Sequence, residues 1–274
     1  MAKVKTDKDY LAIARQRVHR PSAITHHPKL LVYSRNKKGK TTFSLSAGID
    51  RTIVLDPEHG TDSMKTRDPH VWPIEKWEDT QEFWGAVRTG QLSPDVLGTG
   101  KVKEPFTWVS CDGLTKINNM ALKYIGRQAE LRDLDRRPGM VDRRDYNKSG
   151  ELMKDFINNL FALKMGVVFT AQERMITDGN TFDDDEDVEQ PEAYYVPDLP
   201  AGVRGTINSV VDVIGRLYVV QVETKNGPGK QRRLQIGVNE RYDTGYRSEF
   251  VLPDMIKNPT VPKLIALMRS GEAA

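Results

Sequence analysis

"LLVYSRNKKGKTTFSLSAGID", residues 30–50, decides how the rest of this chain is read. An apolar run breaks off at Ser34, a short basic loop follows, and Gly39-Lys40-Thr41-Thr42 opens what the pattern predicts as a helix over 39–48. The usual phosphate loop is a glycine, four residues, then Gly-Lys-Ser/Thr. Here the loop runs Ser34, Arg35, Asn36, Lys37, Lys38, Gly39, Lys40, Thr41, so a serine replaces the first glycine. Backbone amides ahead of a helix start still attract an anion. Residues Ser34 to Thr42 are therefore the expected cradle for the phosphates of a nucleotide, with Lys40 reaching the β- and γ-phosphates and the Thr41 hydroxyl on Mg2+. Serine at this place is expected to cost on the order of 1 kcal/mol if the position requires a positive φ, which weakens binding without abolishing it. The plainer alternative is a basic turn that happens to precede a helix.

Outward from that loop, the pattern alternates. Short apolar runs are expected as buried strands at 29–34, 52–55, 106–111 and in "MGVVFTAQERM", which ends at Gln172. Between them, helical spacing marks "VWPIEKWEDTQEFWGAVRTG", opened by Pro73, a long region from Thr115 broken at Pro138-Gly139, and the amphipathic "ELMKDFINNLFALK". Trp77 and Trp84 are read as core packing. A short helix is expected near 8–16, β-rich runs from 207 around the turn "KNGPGK", and a last short helix near the end. Alternating strands and helices predict a mostly parallel sheet with ligands at the carboxyl ends of its strands. The expected divisions are an extension over 1–28, a core over 29–222 with an acidic loop at about 178–195, and a hairpin and tail over 223–274 packing on the core.

Those strand ends carry chemistry. Glu58 follows the second strand in "VLDPEHGTD" and is placed to orient or deprotonate a water; alone, the segment is a polar turn. Asp112 ends the third strand in "WVSCDG", where a rigid carboxylate suits Mg2+. Gln172, a neutral amide, is placed to sense a terminal phosphate; alone, it reads equally as an exposed glutamine at a strand end.

Bulk composition sets the outer limits. The 274 residues, 38% hydrophobic and 29% charged, suit a soluble α/β protein. No apolar run approaches the ~20 residues of a membrane span, and the charged N-terminus is no secretory signal. The single Cys111 excludes a disulfide scaffold and a cysteine zinc site and fits a reducing cytoplasm. His26, His27 and His59 lack a third ligand at metal spacing. A net charge of +3 permits nucleic acid without demanding it.

Phosphate loop, Glu, Asp and Gln arrive in one order, and in that order "TIVLDPEHGTD", "VSCDG" and "VVFTAQERM" resemble the RecA-like recombinase family. The combination of "YSRNKKGKTTF", "VVDVIGRLYV" and "RRLQIGVNERYDTGYRSEFVLPDMIKNPTVPKL" is similar to phage-encoded AAA-type ATPases, some of them single-strand annealing recombinases of the Sak type. The resemblance covers about residues 28–266. It implies a RecA-like P-loop core, ATP and Mg2+ as ligands, catalytic roles for Lys40, Glu58 and Gln172, and Mg2+ held by Thr41 and Asp112. It also implies single-stranded DNA as partner, a ring or filament of copies with ATP at the interface, and a bacterial host cytoplasm. In such families a cation from the neighbouring copy completes the site; Arg216, Lys230, Arg232 and Arg233 are the candidates. The loops facing DNA would be about 132–150, rich in arginine but interleaved with aspartate, and 173–203, whose acidic Asp183 to Asp187 would repel it. A nucleotide-gated accessory of replication, resembling a helicase loader, and a loop that binds nucleotide without hydrolysing it are the other readings.

Overall fold

The computed structural model describes residues 7–20, 25–177, 193–224 and 227–272. Its first strand, β1 (Lys29–Ser34), is buried along its whole length. Successive residues of β1 point to opposite faces, as strand geometry demands. Leu31 and Tyr33 enter one apolar cluster, while Leu30 and Val32 enter a second on the other side of the sheet. Burial on both faces is why these residues form an unbroken apolar run.

Beyond β1 come α2 (Lys40–Leu45), β2 (Thr52–Asp56), β3 (His70–Pro73), α3 (Trp77–Val87), β4 (Trp108–Asp112), α4 (Leu114–Arg132), α5 (Arg143–Phe161) and β5 (Gly166–Ile176). They are followed by β6 (Tyr194–Pro197), α6 (Ala201–Val210), β7 (Val213–Thr224), β8 (Gly227–Gln235), β9 (Gly245–Tyr246), β10 (Met255–Lys257) and α7 (Val261–Ser270). An N-terminal helix, α1 (Asp7–Arg17), precedes them all. The sheet order is β10-β8-β7-β1-β5-β4-β2-β3. From β7 to β3 every neighbouring pair is parallel; β8 and β10 continue the sheet antiparallel. This is the mostly parallel α/β sheet expected from the strand-and-helix pattern, with the β7–β8 hairpin at one flank.

Register aligns the strand exits. Ser34 lies beside Gln172, Asp112 beside Thr170, and Leu55 beside Cys111. Five polar side chains (Ser34, Gln172, Thr170, Asp112 and Asp56) therefore share one edge. Helices α3 to α6 cover one face with Phe83, Ile117, Met153, Phe156, Ile157 and Ile207, while Phe43 of α2 and Leu264 of α7 cover the other. Each such fully buried side chain contributes roughly 1.5–3 kcal/mol of burial.

Several boundaries differ from the sequence expectation. Helix α2 is shorter than 39–48. Pro73 ends the edge strand β3 instead of opening a helix, and the ring is tolerated there because no further strand lies beyond it among the described residues. "INSVV", expected as strand, closes α6, because Val203 and Ile207 pack one turn apart on the core. Strand β5 does not stop at Gln172: it runs on to Ile176 by pairing antiparallel with β6. Trp77 and Val87 are buried, as a packing role requires. Among the described residues, no helix is long and apolar enough to cross a membrane. The acidic Asp183–Asp187 run lies outside the described residues.

Lys29 is 3% exposed, and its ammonium donates to the carbonyls of Leu163 (2.9 Å) and Met165 (2.5 Å) just past the end of α5. Burial pulls this group down to about 8, against a partial upward pull from Asp212. An unfolded chain keeps that proton until about pH 10.5, so the stability due to Lys29 is lost as pH falls through 8 and gained as it rises toward 10.5. Lys29→Met orphans both carbonyls and is expected to cost about 1–3 kcal/mol. In urea titrations the gap between wild type and variant should widen from pH 7.5 to 10; a pH-independent gap would contradict this account.

Candidate functional site

A cavity of about 500 Å³ opens above the aligned strand exits. The loop residues Asn36 to Thr42 form one wall, and Glu58, Asp112 and Gln172 form the opposite one. Four strands thus bring together what was separated in sequence by more than a hundred residues. Ser34 and Arg35, expected among the phosphate-loop residues, do not line it; they shape it from behind.

The strain expected at position 34 is absent. Ser34 sits inside β1, and the positive φ angles fall at Lys37 (61°) and Gly39 (99°) instead. The serine hydroxyl donates to the Arg35 carbonyl (2.8 Å) and accepts from Lys40 Nζ (3.3 Å). Lys40 also donates to the Ser34 carbonyl at 3.1 Å. Burial lowers the Lys40 ammonium, an effect that Asp112, Glu58 and Glu173 oppose. A lysine folded onto its own loop in this way is poised to swing to an arriving anion. Gly39 has two reasons to be glycine: its left-handed backbone, and an Arg232 guanidinium whose Nε would stand 2.5 Å from any Cβ.

On the opposite wall, Asp112 is 7% exposed and accepts from Thr41 Oγ1 (2.5 Å) and Thr170 Oγ1 (2.8 Å). Burial pushes its carboxyl above the usual carboxylate range; the two hydroxyls and Lys40 pull back, while Asp56 pushes the same way as burial. This paired hydroxyl and carboxylate, facing a cavity with room for phosphates, fits Mg2+. That ion takes oxygen ligands and is commonly held by one or two protein groups plus phosphate and water. No cluster of three acidic, histidine or cysteine side chains suited to a metal occurs among the described residues, so an all-protein cage is not available here.

Glu58 reaches the cavity from a turn organised by a residue that sequence reasoning passed over. Asp56 is 1% exposed and accepts from the amides of Glu58 (3.2 Å), Gly60 (3.0 Å) and Thr61 (2.8 Å), and from the Thr61 hydroxyl (2.5 Å). Its signal was an Asp leading into Pro-Glu-His-Gly, a side chain suited to capping its own following loop. Gly113 lets this turn close down, since a Cβ there would meet Pro57 at 2.9 Å. Gln172 Nε2 stands 3.5 Å from Glu58 Oε1. Thr170, a hydroxyl within an apolar strand, was missed as well.

Glu173, directly after Gln172, is nearly buried between Arg216 Nε (2.5 Å) and Arg35 Nε (3.4 Å). Arg216 also stacks on Tyr242, its guanidinium carbon 4.1 Å from the ring centroid. Arg216, a candidate for serving a neighbouring copy, is committed within its own chain. Arg232 makes no ion pair among the described residues and lies against the phosphate loop of its own chain.

Residues 26–248 match a family model described as an AAA domain. No curated protein matches the chain. The crystal structure of flagellar accessory protein FlaH from Methanocaldococcus jannaschii is similar at 12% identity and a TM-score of 0.39, covering 85% of each chain.

Proposed function

The chain belongs to the AAA domain family matched over residues 26–248, and on that premise we propose that it is a Mg2+-dependent ATPase that acts on single-stranded DNA. The observation that carries the ATPase reading is the single cavity shared by Lys40, Thr41, Glu58, Asp112 and Gln172. Loop amides and Lys40 would bind the β- and γ-phosphates, and the Thr41 hydroxyl with Asp112 would hold Mg2+. That ion would supply charge neutralisation on the phosphate oxygens as the terminal bond breaks. Glu58 would take the proton of the attacking water. Gln172 would lose or regain its Glu58 contact as the γ-phosphate departs, and β5 would carry that change toward β6.

DNA as the partner is supported by how the α4–α5 turn disposes of its charges. Arg136 bonds Asp145 and the Met140 carbonyl, and Asp142 caps α5. Two of the interleaved aspartates and one arginine are thereby absorbed locally. Arg132, Arg137, Arg143, Arg144 and Lys148 make no ion pair among the described residues. Exposed Tyr146 (56%) and Leu134 (93%) stand among them, the mixture of cations and flat or apolar groups on which strands bind and stack. This is the family resemblance to Sak-type annealing recombinases of phages, acting in a host cytoplasm as assembled copies, taken at its word.

Steady-state phosphate release with and without a single-stranded oligonucleotide tests the proposal. Stimulation of several-fold, with oligonucleotide binding that falls steeply as salt rises, is expected. Identical turnover in both conditions, with no binding at low salt, would sink the DNA part while leaving the ATPase. The replication-accessory alternative rests on the acidic run 183–187. Deleting 181–192 separates the two, because DNA binding should survive or strengthen on the first reading while a protein partner is lost on the second.

A further inference from the structure

Next to the phosphate cavity lies a larger one of about 790 Å³, walled by the β7–β8 hairpin, the flank of α2 and the turn before α7. Lys37, Lys38, Thr42 and Arg232 line both cavities, so the two adjoin at the phosphate loop. We propose that this second chamber receives the nucleoside end of the nucleotide, with Arg232 over the phosphate chain at the junction and Asn258 reading the purine edge. The inference rests on the reading that the smaller cavity holds the β- and γ-phosphates.

Direction along α2 carries the argument. Lys40 and Thr41 face the cavity of Glu58, Asp112 and Gln172, where the terminal phosphate would lie. Thr42 borders both chambers, and Ser46, one turn further on, borders only the larger one. A phosphate chain laid from Lys40 past Thr42 would therefore lead toward the larger chamber. Its floor is chemically suited to a flat ring: Val219, Val220 and Pro259 offer apolar surface, while Gln221 and Asn258 offer amides.

Asn258 stands out within this lining. It adopts a left-handed backbone (φ 45°), uncommon outside glycine and often retained at ligand sites. Its amide N–H donates to the Arg232 carbonyl at 2.8 Å, which anchors the turn to the strand that carries the arginine. Three residues on, the Val261 amide donates to Ser46 Oγ at 2.8 Å, tying the turn to α2. The position is thus held at both ends by the elements that would hold phosphate. A side-chain amide presents one donor and one acceptor, the complement of the adenine N6 and N7 pair. Five cations (Lys37, Lys38, Arg67, Lys230 and Arg232) surround the chamber with no carboxylate among its lining residues, which makes a nucleic-acid strand the competing occupant.

Equilibrium binding of Mg·ATP, Mg·GTP and Mg·tripolyphosphate to the full chain distinguishes these. Wild type should bind ATP at least about tenfold more tightly than tripolyphosphate, and more tightly than GTP. Asn258→Ala should lose about tenfold on ATP and nothing on tripolyphosphate. Arg232→Ala should weaken both, because it acts on phosphate. Equal effects of Asn258→Ala on the two ligands, no effect on either, or a preference for GTP would overturn the assignment. Competition between a single-stranded oligonucleotide and a fluorescent adenine nucleotide, relieved by Asn258→Ala, would give the chamber to the strand instead. If wild type bound neither ATP nor tripolyphosphate, the phosphate reading itself would fall; ATP and tripolyphosphate binding alike would leave that reading standing and remove only this one.

Discussion

In Glu58→Gln, ATP turnover is expected to fall by about 10²–10⁴-fold, the range a positioned general base contributes, while Mg·ATP binding changes little. The substitution is nearly isosteric, so the reason must be chemical. Glutamine keeps an oxygen toward Gln172 and can orient a water, but it has no basicity with which to accept the water's proton. The turn should survive, because Asp56 holds it through the Glu58 backbone amide and not through the Glu58 side chain. Single-turnover phosphate release, paired with a binding isotherm for Mg·ATP, separates the two effects. Loss of binding together with turnover would mean that Glu58 acts on the bound ground state, and a turnover within threefold of wild type would remove it from the role of base.

The part of the fold that sequence revealed is the part where one physical constraint dominates. Strands β1, β2 and β4, and β5 as far as Ala171, are buried on both faces, so their apolar runs are continuous and end abruptly at the edge where the polar residues gather. The polar residues at those exits, Ser34, Asp112 and Gln172, were legible for the same reason. Elements governed by weaker or opposing constraints were not. Edge strand β3 is four residues closed by a proline, too short for alternation to register. Helix α6 ends in β-branched residues whose local preference is for strands, and its packing onto the core overrode that preference.

The site shows the same division. Lys40, Glu58 and Asp112 could be found because each ends a strand or follows one within a few residues. Arg232 could not be assigned to its own chain, since its place over Gly39 depends on hairpin register nearly two hundred residues away. Asp56 was visible only as a strand terminator. Its work is to accept four hydrogen bonds in a loop, and residue type alone does not say which backbone amides a carboxylate will face. Arg216 was misjudged as available for the opposite reason: its partner Glu173 lies just past Gln172, in the part of β5 that the sequence reading cut off.

Asp112→Asn is expected to raise the Mg2+ concentration for half-maximal turnover by about 10–100-fold, the usual loss when a metal's supporting carboxylate is altered, and to lower turnover at saturating Mg2+ as well. Both Asp112 oxygens accept hydroxyl protons, from Thr41 and from Thr170. An asparagine amide carries an acceptor oxygen on only one side, so the threonine that faces its nitrogen must switch from donor to acceptor. If the nitrogen faces Thr41, the hydroxyl proposed to bind Mg2+ loses its orientation; if it faces Thr170, the Mg2+ side is spared and only the charge is lost. Thr170→Val separates these possibilities, because it deletes the second contact and leaves the carboxylate free. The double variant should then recover part of the Mg2+ affinity if the asparagine oxygen can return to Thr41. Burial already raises the Asp112 carboxyl, so lowering pH should mimic the mutation, raising the Mg2+ requirement as the carboxylate takes up a proton. In the variant, that pH dependence should disappear, and a variant that kept it would show that some other group sets the Mg2+ requirement.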